Sequence, residues 1–287
     1  MVGLTAGFIG GLLGVGGSII IIPALILYLS HSSAGYTGPS QHLIQAAAMI
    51  CNFFISFPAV IAHYRARAIM KPLVYRLMPA ALVGICLGVA LSNSSAFARE
   101  NGKYLGTGLA IFLSYVVIYN IWRLRVLNHL PHFVDEPPPP ATWKVICVGL
   151  PMGLVAGLLG IGGGALCVPA QQLILRIPLR RAIANSAATI MFTAVFGAIY
   201  KNATLTSHNM SFVDSLHLAV MLIPTAIVGS YLGGRLVHKL PRKILRIAFI
   251  IFMAAVAYLT FRKSLAAGPP LSGPASSPPS QSAPARF

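Results

Sequence analysis

Six apolar stretches of nearly constant length punctuate the chain, at 43–62, 73–92, 104–122, 182–200, 215–234 and 244–262. Each runs for about 19–20 residues, which at ~1.5 Å per residue matches a hydrocarbon core ~30 Å thick. None shows the sustained apolar–polar alternation of a strand. Basic residues gather in the short segments between them. The pattern predicts transmembrane helices, with lipid as the solvent for the outer faces.

Two further apolar stretches, 2–29 and 145–175, depart from this rule. As straight helices they would be about 42–46 Å long, more than the core needs. Both carry the same glycine phrase, GFIGGLLGVGGSIIIIP at 7–23 and GLVAGLLGIGGGALCVP at 153–169, 146 residues apart. Broken at the glycines, each stretch becomes two half-length helices of about 21 Å, with fresh helices starting at Ser18 and Gly164. The break is either a discontinuous span or a re-entrant hairpin that enters and leaves on one side. The duplication extends further. Residues 42–48 match 181–187, 79–84 match 224–229, and Ile111-Phe112 matches Ile251-Phe252. Two homologous membrane repeats follow, 1–128 and 143–265. Between them 129–142 is a Pro-rich linker, and 266–287 is a Pro/Ser-rich tail expected to be disordered. The N-terminal apolar segment lacks a basic leader and has a counterpart at mid-chain, so it reads as structure rather than as a signal peptide.

Composition agrees with this reading. The chain is 56% hydrophobic and 9% charged, with a mean hydropathy of +0.79. Its net charge of +17 would suggest nucleic acid in a soluble protein, but here it belongs to membrane topology, so no nucleic-acid partner is expected. The positions of the charges also bear on the glycine segments. If both segments cross, the 21 basic residues divide eleven against ten and give no orientation. If both are re-entrant, the split is fifteen to six. The larger group then holds Arg65, Arg67, Lys71, Arg76, Lys144, Arg180 and Arg181 among others, and the smaller holds Lys201. The second arrangement obeys the positive-inside rule, gives each half three transmembrane helices, and makes the halves inverted repeats. It puts both termini outside the cytoplasm. The expected fold is thus an all-α polytopic membrane protein with two inverted halves, each carrying a Gly-broken helix pair.

The chemistry is expected at the breaks. Non-helical backbone within a membrane must be buried in protein or line a wet cavity. The first N–H groups of the new half-helices lack intrahelical partners, and the helix dipole makes those ends positive. Two such ends facing each other would bind an anion without any charged side chain. The candidate residues are Gly14, Gly16, Gly17 and Ser18 in the first break, and Gly160, Gly162, Gly163 and Gly164 in the second. Ser18 is placed as an N-cap or as a hydroxyl for the ligand. The bland reading is a small-residue packing face. A second wall is expected from Gln45, Asn52, Asn185, Ser186 and Thr189, with Thr193, Gln171 and Gln172 nearby. Asn185 and Thr189 stand four apart on one helix face.

The acids Glu100, Asp135, Glu136 and Asp214 lie in loops or at a span boundary, which disfavours a cation carrier or a carboxylate relay. His42, His63 and His217 flank spans and could carry protons, although boundary histidines are usually solvated. Cys51, Cys86, Cys147 and Cys167 show no ligand spacing and read as small buried apolar groups. No metal, cofactor or catalytic constellation is expected, and the glycines match neither nucleotide fingerprint.

At these residues the chain resembles the TauE/SafE family of sulfite and organosulfonate exporters. The resemblance rests on G-x-x-x-G-L-L-G-[IV]-G-G-[GS]-x-x-x-x-P at 7–23 and 153–169, and on Ala184-Asn185-Ser186, similar to the family's A-T-S. It departs in the first copy, where Ser18 replaces a third glycine and Ala46-Ala47-Ala48 stands for A-T-S. The resemblance implies a transporter of small sulfur-containing or related anions. The expected protein is a multi-pass transporter in the plasma (inner) membrane, with the lipid bilayer and a small anion as partners and a homo-oligomer left open. The alternatives are a non-transporting membrane scaffold or a passive anion channel.

Overall fold

The computed structural model describes residues 1–31, 41–93, 140–206 and 211–266, with scattered helical positions between 111 and 122. Among the described residues there is no strand. The helices are α1 (Val2–Leu13), α2 (Ser18–His31), α3 (Gln41–Arg65), α4 (Lys71–Asn93), α5 (Thr142–Leu159), α6 (Gly164–Leu173), α7 (Leu179–Ala203), α8 (Phe212–Lys239) and α9 (Arg242–Ala266). Five of them, α3, α4, α5, α7 and α8, are long and apolar enough to cross a membrane. Each expected span recurs with a few polar residues added at its ends, except 104–122, which lies mostly outside the described residues. The tail, and the linker up to residue 139, lie outside them too.

Proline occurs inside α2, α3, α4, α5, α6 and α8. Neighbouring helices and local adjustments re-satisfy the carbonyls that such prolines free within a membrane. Large side chains such as Phe57, Tyr75, Met221 and Leu232 point outward and are exposed. On a chain of this composition that outer surface is the lipid-facing one. Cys86 and Cys147 lie on it, contrary to the expectation of burial, whereas Cys51 and Cys167 are buried; all four are free thiols.

Glycines at four-residue spacing set the packing. Gly3, Gly7 and Gly11 of α1 lie against the backbone of Leu222, Ala226 and Ser230 in α8, and Gly229 and Gly233 of α8 lie against Leu4 and Phe8. The same device joins α4 and α5. Gly149, Gly153 and Gly157 meet Leu77, Ala81 and Ile85, while Gly84 and Gly88 meet Leu150 and Leu154. At most of these positions an added Cβ would strike backbone, so only glycine permits the approach. Numbers rise together on both partners, so α1 runs parallel to α8, and α5 runs parallel to α4.

Other contacts fix the remaining directions. Cys51, Ile55 and His63 of α3 meet Ala219, Ser230 and His238 of α8 in rising order, so these two are also parallel. Helix α7 follows α4, with Gly197 against Ile85 and Lys201 bonded to Ser92. Helices α3 and α7 are antiparallel, because Met49 lies beside Gly197 while Met70, just past α3, bonds to Asn185. One set, α1, α3 and α8, therefore points one way, and the other, α4, α5 and α7, points the opposite way.

Asp214 closes the first turn of α8 in a capping box, in which Ser211 N donates to Asp214 Oδ2 (3.3 Å) and Ser211 Oγ accepts from Val213 N (3.1 Å). This accounts for an acid at a span boundary.

Candidate functional site

Both glycine phrases interrupt the helix. Helix α1 stops at Gly14, which is left-handed (φ 63°) and donates its N–H to Gly10 O. Helix α5 stops at Gly160 (φ 70°) in the same way, bonding to Ala156 O. Gly16, Gly162 and Gly163 continue with φ of 81°, 75° and 70°, a region that costs other residues about 1–2 kcal/mol each. The phrase therefore does two jobs. Its four-spaced glycines pack against another helix, and its last glycines turn the chain. The pieces are less even than expected: α5 has 18 residues and α6 has 10. Helix α5 begins early because Thr142, Trp143 and Lys144 extend it beyond the apolar stretch.

The chain doubles back at each break. Gly10 lies beside Gly16 and Gly17, and a Cβ on Gly17 would come 3.5 Å from Ala6 O. In the second copy a Cβ on Gly163 would meet Met152 O at 2.6 Å and Ala156 Cβ at 3.2 Å. The two breaks also touch each other. A Cβ on Gly164 would lie 2.5 Å from Val15 Cα and 2.6 Å from Gly14 O.

Asn52 of α3, fully buried, sits between the breaks. Its Oδ1 accepts from Gly17 N (3.0 Å) and Ser18 N (3.2 Å), occupying the first donors of α2. Its Nδ2 faces Gly162, where an added Cβ would come within 2.6 Å, and that amide has no hydrogen-bond partner. A buried donor without an acceptor costs about 1–3 kcal/mol. Such a group calls for a particular explanation. Gln45 packs against Gly160, with its Oε1 likewise buried and unpartnered, as are both amide atoms of Gln172.

The other expected residues are used by the protein itself. Ser18 does not cap α2. It is the first helical residue, and its hydroxyl donates to Ala48 O of α3 (3.1 Å). The N-capping role falls to the Asn52 carboxamide, which reaches in from another helix. Ser186 donates to Gly14 O (2.7 Å), tying α7 to the first break. Asn185 accepts from Met70 N (2.8 Å) and donates to Gln171 Oε1 (3.3 Å), and Gln171 Nε2 reaches Cys167 Sγ (3.0 Å). Thr189 and Thr193 donate back along α7, to Asn185 O (2.8 Å) and Thr189 O (3.1 Å), so the expected polar stripe turns its hydroxyls onto its own helix. The structure thus gathers Gly14, Gly16, Gly17, Ser18, Gly162, Gly164, Asn52 and Ser186 at one place. Gln45 borders it through Gly160, and the hydrogen bonds of Asn185 and Thr189 go to Met70, Gln171 and their own helix.

His63 is buried, not solvated. Its Nδ1 lies 2.9 Å from Nε2 of His238, joining α3 to α8. No local sequence signal couples residues so far apart.

A helical chain with several segments long and apolar enough to cross a membrane, and an uncharged polar interior at two backbone breaks, is an integral membrane protein. The sequence profile described as "Sulfite exporter TauE/SafE" matches residues 1–260, and the chain belongs to that family. "Probable membrane transporter protein MamO" of Magnetospirillum gryphiswaldense is 26% identical over 282 residues, covering 90% of this chain and 43% of that protein. "Probable membrane transporter protein YunE" of Bacillus subtilis is 25% identical over 276 residues, or 90% of this chain and 96% of that one. A "Probable membrane transporter protein" of Xylella fastidiosa is 28% identical over 265 residues, 91% and 93% respectively. The chain spans less than half the length of the two MamO proteins it matches. No solved structure matches it.

Proposed function

We propose that the protein is a secondary transporter of the plasma membrane that moves a small anion by alternating access. The anion is sulfite, a sulfonate or another sulfur-containing or organic anion, and it binds where the two glycine breaks meet. The observation that carries this reading is the buried, unpartnered Nδ2 of Asn52 at Gly162, between two helix starts. A donor held in a site without fixed charge suits an anion, because the positive ends of α2 and α6 supply the field. The family's description, a sulfite exporter, agrees with that chemistry.

Inverted repeats are supported by the helix directions, since α1 and α5, α3 and α7, and α4 and α8 are equivalent pairs whose members point opposite ways. Re-entrant glycine segments are supported by the doubling back at each break and by the grouping of charges. Arg181 lines one pocket with Arg65, Arg67, Lys71 and Arg76, and Arg180 bonds Leu240 O. The fifteen-to-six arrangement puts Arg181 on one side with Arg65, Arg67, Lys71 and Arg76, whereas the crossing arrangement would separate them; the Arg180 contact fits both. The glycine packing makes α1 with α8, and α4 with α5, two close pairs that each draw on both halves.

The close contact of Gly164 with Val15 favours a second reading, a non-transporting membrane subunit whose glycines only pack. Radiolabelled sulfite uptake into proteoliposomes, with and without a pH gradient, separates the two. Saturable uptake is expected; vesicles no more permeable than protein-free ones would refute the transport reading.

A further inference from the structure

A second basic feature lies away from the breaks, where α3 gives way to α4. The connecting turn is held by Arg67 N donating to Tyr64 O (3.0 Å) and Ala68 N donating to His63 O (3.1 Å). Arg67 is left-handed (φ 53°), a conformation unusual for a residue with a side chain. The turn presents Arg65, Arg67 and Lys71, the first turns of α4 add Arg76, and Arg181 faces them from the start of α7. Together they line a cavity of about 980 Å³, at the upper end of the range for small-ligand sites.

Among the described residues, the partners that these cations have are neutral. Lys71 Nζ stands 5.1 Å from the centre of the Tyr64 ring, Arg65 donates to the Tyr231 hydroxyl (3.4 Å), and Arg76 donates to Pro140 O (3.5 Å). Among the described residues the one carboxylate is Asp214, which caps α8 at the far end of the bundle. Five like charges therefore share one concave surface, and the positive end of α4 points the same way. A concave wall of low dielectric focuses such a field and concentrates counter-ions. Guanidinium groups on opposite sides suit an oxyanion that can take several donors at once.

The geometry points to a second anion site here, for a sulfonate- or phosphate-type oxyanion group, separate from the glycine breaks. That group arrives either on a free solute or on an anionic lipid headgroup at the membrane surface. The site needs no transport cycle to be occupied, so it stands or falls apart from the carrier reading.

The test uses the full chain in nanodiscs, with Asn52→Asp in every sample of the first arm so that the site at the breaks is disabled. In phosphatidylcholine nanodiscs, radiolabelled sulfite is titrated onto this protein and onto the same protein carrying Arg67→Gln and Arg181→Gln. About tenfold weaker binding at low salt, with a shallower salt dependence, is expected if the group is on a free solute. In a second arm, phosphatidylglycerol retained through purification is counted by native mass spectrometry for the wild type and the double variant. Its selective loss from the variant assigns the site to a headgroup. Arg235→Gln, on α8 outside the pocket, controls for charge alone, and equal melting temperatures control for folding. If neither sulfite binding nor phosphatidylglycerol retention changes in the double variant, or if Arg235→Gln matches it, the proposal is overturned.

Discussion

Asn52→Asp tests the proposed anion site most directly, because it alters charge and donor capacity while keeping shape. In the wild type one side-chain atom, Oδ1, holds Gly17 N and Ser18 N at 3.0 and 3.2 Å, and the other, Nδ2, faces Gly162. A carboxylate retains the first pair of bonds and strengthens them at the positive end of α2. It replaces the second group by an acceptor. An anion bound about 4 Å from that oxygen meets a repulsion of ~4 kcal/mol at an effective dielectric of ~20. Loss of the donated hydrogen bond adds roughly 1.5–3 kcal/mol. Together these predict roughly a ten-thousandfold loss of sulfite binding or flux, or more, at ~1.4 kcal/mol per factor of ten, with melting temperature and expression close to wild type. Asn52→Ala is the complementary variant. It strands two buried N–H groups at about 1–3 kcal/mol each, so it lowers thermal stability, and added sulfite should restore part of that loss. Initial rates of sulfite uptake and melting curves over a sulfite series read both effects. Wild-type uptake by a well-folded Asn52→Asp protein would show that Nδ2 does not face the transported anion, and the site at the breaks would have to be abandoned.

Gly7→Val and Gly153→Val should impair assembly, since a Cβ at either position strikes helix backbone across the interface; the readout is the yield of monodisperse protein. Gly162→Ala should instead give folded protein with flux reduced tenfold or more, as its φ of 75° and its approach to Asn52 perturb only the break; equal effects of all three on yield would contradict the division of labour. Single cysteines at Arg67 and Thr206, in a background without the four native ones, should react with an impermeant reagent from opposite faces, the first from the cytoplasm. Labelling of both from one side would refute the re-entrant topology.

Much of the fold was legible because lipid imposes a simple rule: apolar residues over one span length. Helices α3, α4, α7, α8 and α9 contain the apolar stretches at 43–62, 73–92, 182–200, 215–234 and 244–262, with polar caps added at the ends. The breaks were legible because a duplicated run of glycines has no use in an uninterrupted helix. Which glycines pack and which turn the chain could not be read, because that depends on the partner. Gly7 and Gly11 meet α8, more than two hundred residues away. Asn52 stood out as a polar residue in an apolar span. Its double role did not, because the N–H groups it caps belong to a helix earlier in the chain. Ser18 has the right residue type for a cap but lies one position too far along, inside the helix. The pairing of His63 with His238 left no trace in either local sequence.

The two glycine interfaces are alike in construction but very different in separation along the chain. The α4–α5 contact joins segments about seventy residues apart, such as Gly153 and Ala81, whereas α1 must wait for α8, more than two hundred residues on. A ribosome therefore releases α1 with its glycine face uncovered, and that face stays uncovered while most of the protein is made. Biogenesis should then be uneven between the two repeats. The second hairpin can dock as soon as it is inserted, and the first is completed only when residues near 233 arrive. Truncation before α8 would leave an open small-residue groove for quality control to recognise, whereas the α4–α5 pair would survive intact.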